Sequence, residues 1–169
     1  MLPAKCSSWR SPRERSRSRG DIYVAPTISV VNAVVIGCGR VGSSVAKGLA
    51  ADGWDVTVVD EAEDALQRLG QWRGGFVVGH GMDVTVLERA GLADADAAVV
   101  ATNGDNTNIV IGQVLQKRYE VGTVVVRILD PARAKLYADR GMSVVCPTRT
   151  AISDLLTTVR AATSPASDA

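Results

Sequence analysis

The stretch VVIGCGRVG, residues 34–42, decides the fold. Three apolar residues, VVI, run directly into the G-x-G-x-x-G turn GCGRVG (37–42). Beyond the turn, Val41, Val45 and Leu49 recur at helical spacing. A buried strand, a glycine-rich turn and a helix in this order predict the first βα unit of a parallel α/β sheet.

The rest of the chain repeats this alternation of short β-branched runs and helical periods. The predicted strands are NAVVIG (32–37), WDVTVVD (54–60), GFVVG (75–79), DAAVVAT (96–102), TVVVRIL (123–129) and SVVC (143–146). The predicted helices cover 40–52, 63–71, 83–90, 105–119, 130–141 and 148–160. Crossovers between parallel strands are right-handed and cover both faces of the sheet. We therefore predict the α/β class, with a Rossmann-like doubly wound parallel six-stranded sheet of order 3-2-1-4-5-6 and helices on both faces.

Length and composition restrict the class of protein. The 169 residues predict one domain, and 46% hydrophobic residues are enough for a core, which excludes global disorder. The net charge of +1 gives no indication of a nucleic-acid partner. No apolar run approaches the roughly 18 residues that a membrane helix needs. Three widely separated cysteines fit neither a disulfide framework nor a zinc site, which favours a reducing cytosol.

The two ends of the chain differ from its middle. Residues 1–30 hold six basic and two acidic residues with no apolar period, which predicts a disordered basic leader. This leader is either foreign to the domain, a tether for nucleic acid or acidic lipid, or a targeting peptide; it lacks the apolar region of a secretory signal. The predicted order is then a Rossmann domain over 31–147, a helix over 148–160 and a disordered tail over 161–169.

The glycine turn carries the first indication of chemistry. Gly37 allows the tight turn, Gly39 lets a pyrophosphate approach the backbone, and Gly42 lets the helix pack closely on the strand. Asp60 ends the second strand, 23 positions after Gly37, where a ribose-binding acid belongs. A plain βα turn with a solvated aspartate is the alternative interpretation. Because a carboxylate accepts ribose hydroxyls and repels a 2′-phosphate, NAD(H), ADP or ATP is favoured over NADP(H).

Residues suited to catalysis are scarce. The single histidine, His80, ends the third strand, where an adenine edge normally lies, and we interpret it as a binding or structural residue. Cys38 suggests a redox sensor, but a small side chain tolerated in a tight turn is the simpler interpretation. We predict no catalytic residue. An NAD-dependent oxidoreductase fragment, or an NAD(H) redox sensor for another partner, remains the alternative.

Five stretches together resemble a known family. They are VVIGCGRVGSSVAKGL (34–49), VTVVDEAEDALQRL (56–69), VVGHGMDVTVLERAGL (77–92), DAAVVATNGDNTNIV (96–110) and VVVRILDPARAKLYADRGMSVVCP (124–147). In this order and spacing they resemble the nucleotide-binding RCK (KTN, TrkA-N) domain over about residues 31–160. Such domains are cytosolic regulatory subunits of Trk/Ktr potassium uptake systems, or gating domains of potassium channels. The resemblance implies a nonenzymatic subunit at the cytoplasmic face of the membrane, in which ligand binding gates a potassium-transport pore subunit.

The resemblance also assigns the nucleotide site. The implied site residues are Gly37, Cys38, Gly39, Arg40, Val41, Gly42, Asp60, Glu61, His80, Gly81, Thr102, Asn103, Asp105, Asn108 and Arg127. Arg40 takes the place of a phosphate-side arginine near the dimer seam, and Asp60 that of the ribose acid. Facing the distal half of the ligand are Thr102, Asn103, Asp105 and Asn108, and Arg127 is a basic residue of strand five.

Three positions depart from the family pattern. His80 and Met82 replace the usual residues at the adenine edge. Thr148 follows Pro147 where some ATP-responsive members have a glutamate linked to a bridging divalent metal. We therefore expect no metal-bridged ATP site.

The last predicted helix carries Ile152, Leu155, Leu156 and Val159 on one face. In the family the corresponding helix crosses to a neighbouring subunit, which implies a homodimer or a heterodimer with a related RCK subunit. The alternative is an ordinary helix packed on the sheet beside strand six. Family members usually append a second, smaller ligand-binding subdomain after this helix. Its absence here leads us to expect a shortened form, or a single-lobe member that relies on a partner subunit.

Overall fold

The computed structural model describes residues 30–163, so the predicted leader before Val30 and the tail after Thr163 lie outside the described residues. The strands are β1 (Asn32–Ile36), β2 (Asp55–Asp60), β3 (Gly75–Val78), β4 (Ala97–Val100), β5 (Thr123–Arg127) and β6 (Ser143–Val145). The α-helices are α1 (Arg40–Ala51), α2 (Val84–Arg89), α3 (Asp105–Lys117), α4 (Pro131–Ala138) and α5 (Pro147–Thr163). Two 3₁₀ helices, Glu63–Leu69 and Leu92–Asp94, complete the fold.

The predicted sheet is confirmed. All six strands pair in parallel in the order β3-β2-β1-β4-β5-β6. In the middle, Val35 of β1 lies opposite Val58 of β2 on one side and Val99 of β4 on the other. Strand order reverses between β1 and β4, and in open α/β sheets ligands bind outside the carboxyl ends of the strands at such a point.

Alternate residues of β1 enter two separate cores, which is how helices come to cover both faces. Val34 and Ile36 point into the larger core, which also holds Ile111 of α3. Val35 points into the smaller core, with Ala46 of α1. Period-two side-chain alternation therefore makes β1 buried on both faces, as a central parallel strand must be.

Local signals explain where the helices begin. The Asp83 carboxylate accepts the Thr85 N–H, and the Asp130 carboxylate accepts the Arg133 N–H, so each caps its helix. Pro131 occupies the first turn of α4, where its missing N–H costs nothing. The predicted helix over 63–71 is a 3₁₀ helix that stops at Gly70, whose φ of 69° leaves the helical region.

The last helix differs from its predicted bounds. It begins one residue earlier, at Pro147, and continues to Thr163, so residues 161–163, predicted as tail, are helical. Two alanines, Ala161 and Ala162, prolong it because alanine is the best helix former.

The α5 helix stands away from the rest of the domain. None of its residues is buried, and Leu155 and Val159 are 66% and 59% exposed. The alternative of an ordinary helix packed beside strand six is therefore wrong. No helix within residues 30–163 combines the length and apolarity needed to cross a membrane.

Candidate functional site

A cavity of about 700 Å³ opens at the carboxyl edge of the sheet, around the switch point between β1 and β4. Most predicted site residues line it, namely Gly37, Gly39, Arg40, Val41, Asp60, Glu61, His80, Gly81, Thr102, Asn103 and Arg127. These residues lie in or directly after β1 to β5, or at the start of α1. The parallel strands thus bring together side chains that are far apart in sequence.

The three glycines of the turn, Gly37, Gly39 and Gly42, are each required for a different geometric reason. Gly37 has a φ of +99°, and a Cβ there would lie 2.7 Å from the Thr102 nitrogen. A Cβ at Gly42 would lie 1.8 Å from the Gly37 carbonyl oxygen, so α1 rests directly on the turn. A Cβ at Gly39, by contrast, would meet nothing within 4 Å. Gly39 therefore keeps space free in the cavity, as the predicted phosphate contact requires.

The first turn of α1 is open to an anion. Gly39 caps the helix without a side chain, and no acidic residue lies in the first turn. The first N–H groups of a helix have no partner within it, and they form the positive end of the helix dipole. Arg40 adds an exposed guanidinium on the cavity wall at the same place. Phosphate is the ligand group that this combination suits best.

Asp60 joins the glycine turn to the segment after β2. One carboxylate oxygen accepts the Cys38 N–H at 2.6 Å, and the other accepts the Ala62 N–H at 2.9 Å. Each oxygen retains a second lone pair on a half-buried side chain that lines the cavity. Asp60 is therefore both a brace for the turn and an available acceptor for hydroxyl groups.

Cys38 was predicted as a site residue but does not line the cavity. Its backbone N–H instead holds the Asp60 carboxylate. The thiol is fully buried beneath the turn and donates to the Ala65 carbonyl oxygen at 3.3 Å. Burial, and next the Asp60 carboxylate, raise the pKa of this thiol above its ordinary value. A protonated, buried thiol is a poor nucleophile, which weighs against the redox-sensor interpretation.

Asn108 also lies outside the cavity, contrary to the predicted contact with the ligand. It is completely buried, and its side chain links the ends of two strands. Its amide nitrogen donates to the Thr102 and Arg127 carbonyl oxygens, at 3.1 and 2.9 Å, and its oxygen accepts the Thr102 N–H at 3.0 Å. Asn108 therefore positions the two residues that do line the distal wall.

Arg127 is half-buried in that wall. One terminal nitrogen of its guanidinium donates to the Thr102 carbonyl oxygen. Its Nε is buried and has no hydrogen-bond partner among residues 30–163. A buried donor without an acceptor costs free energy, so this guanidinium has unused capacity to bind beside the cavity.

Asp105 has a structural role where ligand contact was predicted. Its two oxygens accept the N–H groups of Leu129 and Asp130, at 2.8 and 2.9 Å. It therefore ties the start of α3 to the turn after β5, outside the cavity. Gly42 is the fourth predicted site residue that does not line the cavity, after Cys38, Asn108 and Asp105. Its role is to let α1 pack directly on the glycine turn.

His80 and Gly81 form the wall after β3. The exposed His80 ring accepts the Met82 N–H at Nδ1 over 3.1 Å, so one ring nitrogen is engaged within the loop. A Cβ at Gly81 would lie 2.5 Å from the Ile36 side chain, which explains a glycine there. The His80 carbonyl oxygen also accepts the Asp83 N–H at 2.9 Å, which ties this wall to the start of α2.

Several cavity residues escaped sequence reasoning. They are Ile36, Val59, Ala62, Arg68, Gly79, Ala101 and Thr107. Most adjoin a predicted residue at a strand end, and that position was the available signal. Arg68 had no such signal, because it lies eight residues beyond Asp60 in the 3₁₀ helix. Residues 30–163 contain no cluster of three or more His, Cys, Asp or Glu placed to hold a metal ion.

Known proteins resemble this chain in sequence and in fold. The Trk system potassium uptake protein TrkA of Streptomyces coelicolor is 38% identical over 124 residues, covering 73% of this chain and 56% of the relative. This chain thus spans about half the length of the curated relatives it matches. The GsuK RCK domain has a TM-score of 0.70 at 21% identity, covering 79% of this chain and 29% of that chain.

The same fold is found in the Kef CTD of Shewanella denitrificans in its AMP-bound form. Its TM-score is 0.67 at 23% identity, and the match covers 80% of this chain and 82% of that chain. The TrkA-N domain family model matches residues 33–147, from the start of β1 to the start of α5. The chain therefore belongs to the TrkA-N domain family.

Proposed function

We propose that this chain is the nucleotide-binding regulatory domain of a Trk/Ktr-type potassium uptake system. It acts at the cytoplasmic face of the membrane, has no enzymatic activity, and controls a potassium-transport pore subunit when an adenine nucleotide binds. The observation that carries this proposal is the cavity at the switch point, where an open helix N-terminus, Arg40 and Asp60 meet. Membership of the TrkA-N family supports the link to potassium transport.

The proposed ligand is NAD(H), ADP or ATP. Structures of the same fold have been solved with AMP, ADP and NAD bound. In this chain the helix N-terminus and Arg40 would hold the phosphates, because both present positive charge to the cavity. Asp60 would accept the ribose hydroxyls, and Arg127 would bind the distal half of the ligand.

Replacing Asp60 with alanine should weaken NADH binding and reduce the preference for NADH over NADPH. The loss removes a charged hydrogen-bond acceptor, worth about 1.5–3 kcal/mol, or roughly a tenfold to hundredfold rise in Kd. It also removes the repulsion of a 2′-phosphate. Calorimetric titration with both nucleotides measures the two effects.

Asp55→Ala is the matched control, because Asp55 is an exposed carboxylate at the opposite end of the same strand. It should leave both affinities unchanged. If wild-type protein binds NADPH more tightly than NADH, the ribose role of Asp60 is wrong.

The proposed assembly is a homodimer, or a heterodimer with a related RCK subunit, that contacts the pore subunit. The exposed face of α5 supports it, since Ile152, Leu155, Leu156 and Val159 are large apolar side chains in water. A regulatory domain acts by having different contacts in two states of its assembly, which a ligand then biases.

Gly39→Asp separates nucleotide binding from folding and so tests regulation in cells. Aspartate at a helix N-cap stabilises the helix, while its carboxylate would stand in the space reserved for phosphate. We expect a strain lacking the gene to take up rubidium more slowly at low external potassium. Wild-type protein should restore uptake, and Gly39→Asp should fail to restore it although it accumulates as a folded protein.

Two results would count against the proposal. Rubidium uptake that is unchanged by the deletion would remove the link to potassium transport. Full rescue by a Gly39→Asp protein that no longer binds nucleotide would remove the link between ligand and regulation. Protein levels in each strain serve as the control for expression.

A further inference from the structure

Arg68 places a positive charge on the wall of the cavity that also holds Asp60 and Glu61. Its exposed side chain shares this wall with two acidic residues, yet it forms no salt bridge to a carboxylate among the described residues. The Asp60 oxygens are instead engaged by the Cys38 and Ala62 N–H groups. Arg68 is therefore a cation without an anionic partner, next to the proposed ribose position.

The backbone beneath Arg68 is held in place. Ala65 is fully buried and its carbonyl oxygen accepts the Cys38 thiol, which fastens the 3₁₀ helix to the glycine turn. Residues three apart eclipse in a 3₁₀ helix, so Arg68 lies on the same side as Ala65. The Lys47 ammonium donates to the Arg68 carbonyl oxygen at 3.1 Å, and the adjacent Leu69 is buried. The guanidinium thus extends from an anchored position.

A second cation, Lys47, lies near the glycine turn but does not line the cavity. Burial and the Asp60 carboxylate raise the pKa of the Cys38 thiol, whereas the charges of Arg68 and Lys47 act in the opposite direction. Both cations are therefore close enough to the glycine turn to influence it. The ribose side of the cavity therefore holds the acidic Asp60 and the basic Arg68, whereas the sequence predicted only the acidic residue there.

We propose that Arg68 is a specificity-determining residue that binds a phosphate carried on the adenosine ribose. This inference rests on the proposed nucleotide site. Asp60 repels such a phosphate and Arg68 attracts it, so the pair sets how strongly the site discriminates against NADPH. Guanidinium groups suit this task because they donate two parallel hydrogen bonds to phosphate oxygens.

Arg68→Gln tests the proposal by a ratio of affinities. NADH and NADPH differ only by the 2′-phosphate, so calorimetric titration of both against each variant isolates the contact with that group. We expect Arg68→Gln to raise the Kd of NADPH about tenfold more than that of NADH, the lower end for a charge-assisted bond. AMP and adenosine 3′,5′-bisphosphate form a second pair, which distinguishes a 2′-phosphate subsite from a 3′-phosphate subsite.

Two substitutions at other arginines serve as controls. Arg40→Gln should weaken NADH and NADPH alike, because its proposed phosphates are common to both. Arg73→Gln should change neither, since Arg73 is exposed and lies outside the cavity. An exposed side chain such as Arg68 can be replaced without disturbing the core, and a melting curve for each variant checks this.

Each outcome decides the matter. The inference is supported if Arg68→Gln alone raises the ratio of the NADPH Kd to the NADH Kd. A rise in the ratio of the adenosine 3′,5′-bisphosphate Kd to the AMP Kd supports it equally. Equal loss of both members of each pair would mean that Arg68 contacts the shared part of the ligand, such as the base, and would overturn it. Unchanged affinities would overturn it as well, while leaving the nucleotide site intact. Failure of folded wild-type protein to bind any of the four nucleotides, and to bind ADP or ATP, would refute the proposed function itself.

Discussion

Replacing Gly42 with alanine is expected to destabilise the protein by about 3 kcal/mol, the upper end of the usual cost of overpacking. The new Cβ would lie 1.8 Å from the Gly37 carbonyl oxygen, and a backbone atom cannot rotate away as a side chain can. Either α1 must lift from the sheet or the glycine turn must open. For a domain of this size the melting temperature should fall by roughly 6–12 °C, and nucleotide binding should be lost.

Gly48→Ala provides the control within the same helix. A Cβ there would meet nothing within 4 Å, and alanine in a helix is more stable than glycine by roughly 0.5–1 kcal/mol. Thermal unfolding should therefore show opposite signs for the same chemical change at positions 42 and 48. Equal melting temperatures for the two variants would mean that α1 does not rest on the turn as described.

Introducing aspartate at both Leu155 and Leu156 should convert the proposed dimer into monomers. Burying a leucine or isoleucine side chain stabilises an association by roughly 1.5–3 kcal/mol, and the face that holds these residues is exposed throughout. Because α5 has no buried residue, the substitutions should leave the melting of the Rossmann core nearly unchanged. Light scattering gives the mass of each variant in solution.

Ser153→Asp with Thr157→Asp adds the same charge to polar positions of α5, and this control should remain dimeric. A wild-type mass of one chain at tens of micromolar, where an interface of roughly −7 kcal/mol is populated, would contradict the proposed assembly. Retention of the dimer by the doubly substituted protein would place the interface elsewhere.

The parts of the fold predicted from sequence are those that local physics decides. Val34, Val35 and Ile36 indicate a buried strand by composition, and the glycines after them permit little except a tight turn onto a helix. Because crossovers between parallel strands are right-handed, only a few strand orders are possible for such a chain. Asp60 was found in the same way, because its distance from the turn is set by one strand and one helix.

The site residues that sequence misplaced depend on contacts made by the folded chain. Asp105 and Asn108 lie in the predicted loop and helix, but their side chains bond to backbone groups. The Asp105 carboxylate accepts the Leu129 and Asp130 N–H groups. The Asn108 amide donates to the Thr102 and Arg127 carbonyl oxygens. No sequence pattern states whether a carboxylate will meet a ligand or a neighbouring turn. Arg68 was missed because it is distant from Asp60 in sequence, and only the folded chain brings its 3₁₀ helix back beside the cavity.

An amide NMR titration of the isotope-labelled chain with NADH tests the central claim most directly, because it reports both binding and its location. We expect saturable shifts concentrated at Gly37 to Val41, at Asp60 and Glu61, and at Thr102 and Asn103, with smaller shifts at the opposite edge of the sheet. The same titration of Gly39→Asp should give a folded spectrum without these shifts. A folded wild-type spectrum left unchanged by NADH, ADP and ATP at roughly millimolar concentration, where a binding free energy of about −4 kcal/mol would still be detected, would contradict the account.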